Sequence, residues 1–187
     1  MTEHSKEYKD KEEFRKASLA LTEYQRRHNI LRKDYELLFD ITETFKGDKE
    51  KFNTQFRASL KGFFSLVESD IFGLNQLDSY EGYSDKHSFE DKFKKTFKQI
   101  CKTWDKEEII QNYLDSKYKS LKIIKKKRDK LVHPKYIEDI IIATDEEFEE
   151  LKIVFNDYVK MLHSIMNNFF IRVNINDFSE LKDIFKQ

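Results

Sequence analysis

The chain has 187 residues and carries 35 Lys and Arg against 35 Asp and Glu, so its overall field draws in neither nucleic acid nor anionic membrane indiscriminately, and any such binding must come from a local patch. Four Gly and one Pro are too few turn-formers for a many-stranded β architecture, and the length suits one domain with a real apolar core. The first residues form no apolar signal stretch, no run is long enough to span a bilayer, and the single Cys101 cannot close an internal disulfide, which together point to a cytoplasmic, reduced setting.

Phe14, Ala17, Leu21, Tyr24, His28, Leu31, Tyr35, Leu38, Thr42 and Phe45 recur in alternating steps of three and four, the spacing of a heptad seam. A first helix from Glu12 to Phe45 would extend roughly 50 Å at about 1.5 Å per residue. It either bends near Asn29 or reaches toward a partner. Its seam is either a core face or a dimer interface, and the strict period tilts slightly toward the dimer. Gly47-Asp48 interrupts the pattern, and Phe52, Phe56, Leu60, Phe63, Phe64, Val67, Ile71 and Leu74 mark a second helix. Asn75 to His87 is polar and lacks a helical period, which predicts the main loop.

Ser88 followed by Asp91 has the pattern of a capping box, opening a third helix whose apolar face is Phe89, Phe93, Phe97, Ile100 and Trp104. Cys101 falls on the apolar side and reads as a small core residue. Asp105 is the candidate cap of a fourth helix, with a stripe through Ile110, Leu114, Tyr118, Leu121, Ile124 and Leu131 that ends at His133-Pro134. Ile137 to Ala143 is a short apolar run, either a loop packed on the core or an isolated extended segment. Thr144 restarts helix, with Asp145, Glu146 and Glu147 at its N-terminus and Phe148, Leu151, Phe155, Tyr158, Leu162, Ile165, Met166 and Phe169 as its stripe. Asn176 to Lys186 makes a short last helix. The whole predicts an all-α, up-and-down helical bundle, residues 1–187 in one domain, with 1–46 as a long N-terminal helix and a short C-terminal helix.

One segment carries chemistry. At about 100° per residue Arg128 lies only about 20° from Leu121, within the apolar stripe, so it is not simply solvated. A continuous helix would turn His133 about 140° away from Arg128, but the residue before a proline is pushed out of helical geometry, so Pro134 lets His133 swing toward the Arg128 face. Arginine offers a fixed fork of donors to phosphate and histidine titrates near neutrality, a pair suited to cleaving RNA through its own 2′-OH. His133 would take or give the proton and Arg128 would stabilise the phosphorane, with no metal or cofactor needed. One histidine cannot readily be both base and acid in a turnover, and a two-fold homodimer would supply two.

Arg128-Asp129 through His133, a polar residue after the arginine and a histidine at the end of a bundle helix, resembles the HEPN superfamily (higher eukaryotes and prokaryotes nucleotide-binding). That resemblance implies an all-helical fold and a metal-independent endoribonuclease acting as a dimer, of the kind found among toxins and phage-defence effectors, with an antitoxin or regulatory protein as a further partner. It also implies Arg128 and His133 as the catalytic pair and Asp129 as the residue that orients them. Some toxins of the family carry, two places after the histidine, a tyrosine that a partner modifies; here that place is Lys135 and the tyrosine is Tyr136. The competing class is a non-catalytic helical interaction and dimerisation module.

Lys122, Lys125, Lys126, Lys127, Arg128, Lys130 and Lys135 make the strongest local positive charge, and Lys126, Lys127, Lys130 and Lys135 are the candidate RNA contacts. Against that, cations near a helix C-terminus complement its dipole, and Asp145 to Glu150 can neutralise them across the bundle. Glu68 can pair with Arg128, although an exposed flank is the plainer reading. Tyr118 and Tyr136 are candidates for stacking on bases, yet aromatic residues at helical spacing are more often core. His28 and His163 have no neighbours at metal-ligand spacing, and His4 and His87 read as surface residues.

Overall fold

A computed structural model describes residues 8–167. In it α1 (Lys11–Thr44) runs unbroken and antiparallel along α2 (Lys49–Leu77), with Thr42 bonded to Ser59 at 3.0 Å at one end and His28 to Asp70 at 2.8 Å nearer the other. Asp10 and Asp48 cap the two helices by accepting from Glu13 N–H and Lys51 N–H. The heptad seam is covered within the chain: its Tyr24, His28, Tyr35 and Thr42, with Phe39 beside them, are buried against α2 and its neighbours. The slight expectation of a dimer at this seam is therefore corrected, because α2 already occupies it.

The remaining helices are α3 (Phe89–Thr103), α4 (Glu107–Ser116), α5 (Tyr118–Val132) and α6 (Asp145–Met166), with a single 3-10 turn at Ile137–Asp139. Helix α2 is the hub of this all-α bundle, packing on α1, α3, α5 and α6. Its Phe56, Leu60, Phe63, Phe64, Leu66, Val67 and Leu74 are completely buried; each such side chain contributes about 2 kcal/mol by leaving water. No described helix is long and apolar enough to cross a membrane. The expected short helix from Asn176 to Lys186, and Phe169 of the stripe before it, lie outside the described residues.

Ser88 caps α3 as expected, accepting from Asp91 N–H at 3.1 Å and donating to its carboxylate at 2.7 Å. Asp105 does not cap α4. It sits at φ 55, in the left-handed region that an Asp tolerates, while Lys106 N–H reaches back to Cys101 C=O at 2.7 Å. That is a Schellman closure of α3, so Asp105 ends one helix instead of starting the next. Lys106 takes the N-cap position of α4 and makes no side-chain cap hydrogen bond.

The single fourth helix is in fact two. Ser116 donates its hydroxyl to Asn112 C=O at 2.6 Å, a back-bond that bends helices. Ser120 N–H then bonds Lys117 C=O at 3.1 Å, a tightened turn at the junction. This rotates the apolar face, so that Ile110 and Tyr113 are buried from α4 and Tyr118, Leu121 and Ile124 from α5. The run from Ile137 to Ala143 is a loop after its 3-10 turn: Ile137 and Ile142 are exposed, and Ile141 and Ala143 pack on the core. Thr144 restarts helix as expected, and it also closes a capping box on α6 with Glu147.

Candidate functional site

Helix α5 carries the residues singled out by sequence. Leu121, Ile124 and Leu131 anchor it to the core, and Arg128 continues that face with its side chain 17% exposed. The guanidinium lies 5.4 Å over the Phe64 ring, pairs with Glu68 of α2, and reaches Asp129 at 3.2 Å. Asp129 also takes two bonds from Lys125, at 2.6 and 2.7 Å, and Lys125 lies 5.0 Å over the Phe89 ring. Two cations and two carboxylates thus alternate from Lys125 through Asp129 and Arg128 to Glu68, where α5 meets α2. Both sequence readings of Glu68 hold: it lies on an exposed flank of α2, its side chain 48% exposed, and it pairs with Arg128 from there.

Pro134 acts as expected on its neighbour. His133 leaves the helix at φ -127 and ψ 60, still donating its N–H to Asp129 C=O at 3.1 Å. Its imidazole is exposed and, among the described residues, makes no hydrogen bond or ion pair with Arg128 or Asp129. The structure brings Arg128 and Asp129 together and leaves His133 free at the rim. Beyond it, Lys135 N–H and Tyr136 N–H donate to Asp139 at 2.9 and 3.1 Å, which holds the Asp139 carboxyl below the usual carboxylate range. This fixes the turn that carries Lys135 and Tyr136 outward, with Tyr136 71% exposed.

The candidate RNA contacts divide. Lys127 binds Glu147 at 3.0 Å and Glu150 at 3.3 Å on α6, the neutralisation across the bundle that the acidic start of α6 suggested. Lys130 faces Asp139 at 3.8 Å. Lys126 and Lys135 have no carboxylate partner among the described residues, which makes them the open cations of this edge. Tyr118 is core, buried on α5 beneath Lys94 and Lys122.

A second polar cluster lies inside the bundle. Asp70, completely buried on α2, accepts from Tyr158 of α6 at 2.8 Å and pairs with His28 of α1 at 2.8 Å. The Tyr24 ring centroid is 6.1 Å from that of His28, and His163 is 6.5 Å from it on the other side. Burial pushes the Asp70 carboxyl above its ordinary value, and the bonds from His28 and Tyr158 only partly offset this. Burial and the nearby His28 and Arg32 lower the His163 imidazole. Sequence reading passed over Asp70, although a signal was there: Asp70 falls about 20° from Phe63 on the apolar face of α2, the same signature that marked Arg128. An open groove of about 680 Å³ between α3 and α4, lined by Lys98, Lys102, Glu107 and Gln111, includes neither this cluster nor the predicted site residues.

Comparison with protein-family models, curated proteins and solved structures finds no match to this chain.

Proposed function

We propose that the C-terminal end of α5 is the active edge of a metal-independent endoribonuclease of HEPN type, a toxin or phage-defence effector that cuts RNA by 2′-OH attack. The observation that carries this reading is His133: an imidazole set free of the helix by Pro134, exposed and without a hydrogen bond or ion pair among the described residues, five residues beyond Arg128 in a stretch whose Lys126 and Lys135 are open cations. His133 removes the proton from the ribose 2′-OH as the oxygen bonds to phosphorus. The bond from phosphorus to the 5′-oxygen breaks, that oxygen takes its proton from the histidine of a second copy, and a 2′,3′-cyclic phosphate remains. Arg128 stabilises charge on the phosphorane, Asp129 orients its guanidinium, and Lys126, Lys127, Lys130 and Lys135 receive the backbone, Lys127 and Lys130 only by exchanging their carboxylates for phosphates.

A specific observation favours a second reading. Arg128 is already held by Glu68, Asp129 and the Phe64 ring, the environment of a tie between two helices, and a non-catalytic interaction module needs no more than that.

Incubating the purified chain with RNA in excess chelator separates the two. The ribonuclease reading expects fragments ending in a cyclic phosphate, and at least a roughly hundredfold loss in both His133→Ala and Arg128→Ala. Cleavage that persists in His133→Ala overturns it. An intact RNA pool, together with a lowered melting temperature in Arg128→Ala, carries the module reading instead.

A further inference from the structure

Helix α1 is apolar on two opposite faces, and among the described residues only one of them is covered. Leu19, Ile30, Leu37 and Ile41 are each between 45% and 60% exposed. They fall within about 40° of one another, and about 140–180° around the helix from His28, which faces α2. Glu23, Arg26 and Lys33 fill the gaps, so positions 19, 23, 26, 30, 33 and 37 alternate in steps of four and three, the repeat that keeps a seam facing a partner helix. None of Glu23, Arg26, Lys33 and Asp40 has an ion pair among the described residues.

We propose that this outer face binds a second copy of the chain, the two α1 helices antiparallel about a two-fold axis level with His28. The seam matches itself in that register and in no parallel one. Leu19 meets Leu37, Glu23 meets Lys33, Arg26 lays its methylene stem on Ile30, and Lys16 on the flank, 3.6 Å from Glu12 of its own helix, also reaches Asp40, each pairing occurring twice. Side by side in parallel, Glu23, Arg26 and Lys33 would each face their own copy, stacking like charges along the seam. The unpartnered charges thus specify both the occupant and its direction.

This surface is not the edge at His133. Glu68, which Arg128 contacts, is turned about 120–180° around α2 from Ser59, Gly62, Asp70 and Gly73, the residues that meet α1. The pairing therefore does not rest on the ribonuclease reading, and if both contacts form, the chain assembles beyond a dimer.

Sedimentation of the whole chain over a range of concentrations tests the pairing. The expected result is a self-associating species whose average mass falls toward the monomer in Glu23→Lys and in Lys33→Glu at concentrations near the dissociation constant of the unaltered chain. Each swap weakens association by about tenfold or more, because two facing pairs become like-charged. The double variant Glu23→Lys with Lys33→Glu restores the association, since every pair is again opposite in sign. Circular dichroism of all three variants should match the unaltered chain, both positions being exposed. A monomer at every concentration overturns the proposal, as does an assembly indifferent to the single swaps or a double variant that stays dissociated.

Discussion

Two polar side chains sit where the apolar periodicity of their helices should place a hydrocarbon, and the fold treats them differently. Arg128 was legible in the sequence because its position in the α5 stripe excludes simple solvation; its partner Glu68 was weighed but not preferred, since a pairing across sixty residues leaves no local trace. His28 was read as a seam residue of α1 and Asp70 was passed over on the apolar face of α2, and what sequence could not show is that antiparallel packing of α1 on α2 sets them 2.8 Å apart. Replacing Asp70 with Ala strips both His28 and Tyr158 of their partner in the core, and the expected cost is about 3 kcal/mol in urea unfolding. The pH dependence has a definite sign. Because the folded-state Asp70 carboxyl lies above its ordinary value, its stabilising contribution is complete below about pH 4 and is lost as pH rises through the raised value. Asp70→Asn does not titrate, so its unfolding free energy minus that of the unaltered chain should grow more positive from acid toward neutral pH. A flat difference would mean that the buried carboxyl titrates as in the unfolded chain.

At the scale of elements, the helices that carry complete signals were readable. Helices α3 and α6 begin at a Ser and a Thr as expected, and α1 follows its stripe nearly to the residue, while α2 runs on through Leu77, three residues into the segment expected to be loop. The break between α4 and α5 was not readable, because no Gly or Pro marks it; it shows only in the tightened turn from Lys117 to Ser120, and the Ser116 back-bond at its edge has counterparts at Thr22, Thr54 and Ser164 inside unbroken helices. Asp105 misled for a related reason, since Asp suits both an N-cap and a left-handed helix end. Close packing of α1 on α2 has its own test in two glycines. A Cβ at Gly73 would lie 2.4 Å from the buried Tyr24 ring, whereas one at Gly62 would meet Tyr35 at an ordinary 3.4 Å. Gly73→Ala should therefore destabilise by about 1–3 kcal/mol despite the better helix propensity of Ala. Gly62→Ala should be neutral or slightly stabilising. Equal thermal shifts in the two variants would show that the helices do not approach as closely as described.

For the molecule as a whole, composition and periodicity sufficed for an all-α bundle, because four glycines and one proline leave little room for anything else. The edge at His133 was legible in its residue types but not in its connections. Sequence proposed that Arg128 and His133 converge, and the fold joins Arg128 to α2 while leaving His133 at the rim. Long-range ties also decide when the fold can close. Tyr158 lies 88 residues beyond Asp70, so while the chain is being synthesised α1 and α2 can zip together early, with the carboxylate held on one side only, by His28. The hydroxyl that completes its shell arrives with the last described helix. A chain terminated before Thr144 should accordingly show no cooperative urea transition, and on the ribosome the bundle should resist protease only after α6 has emerged.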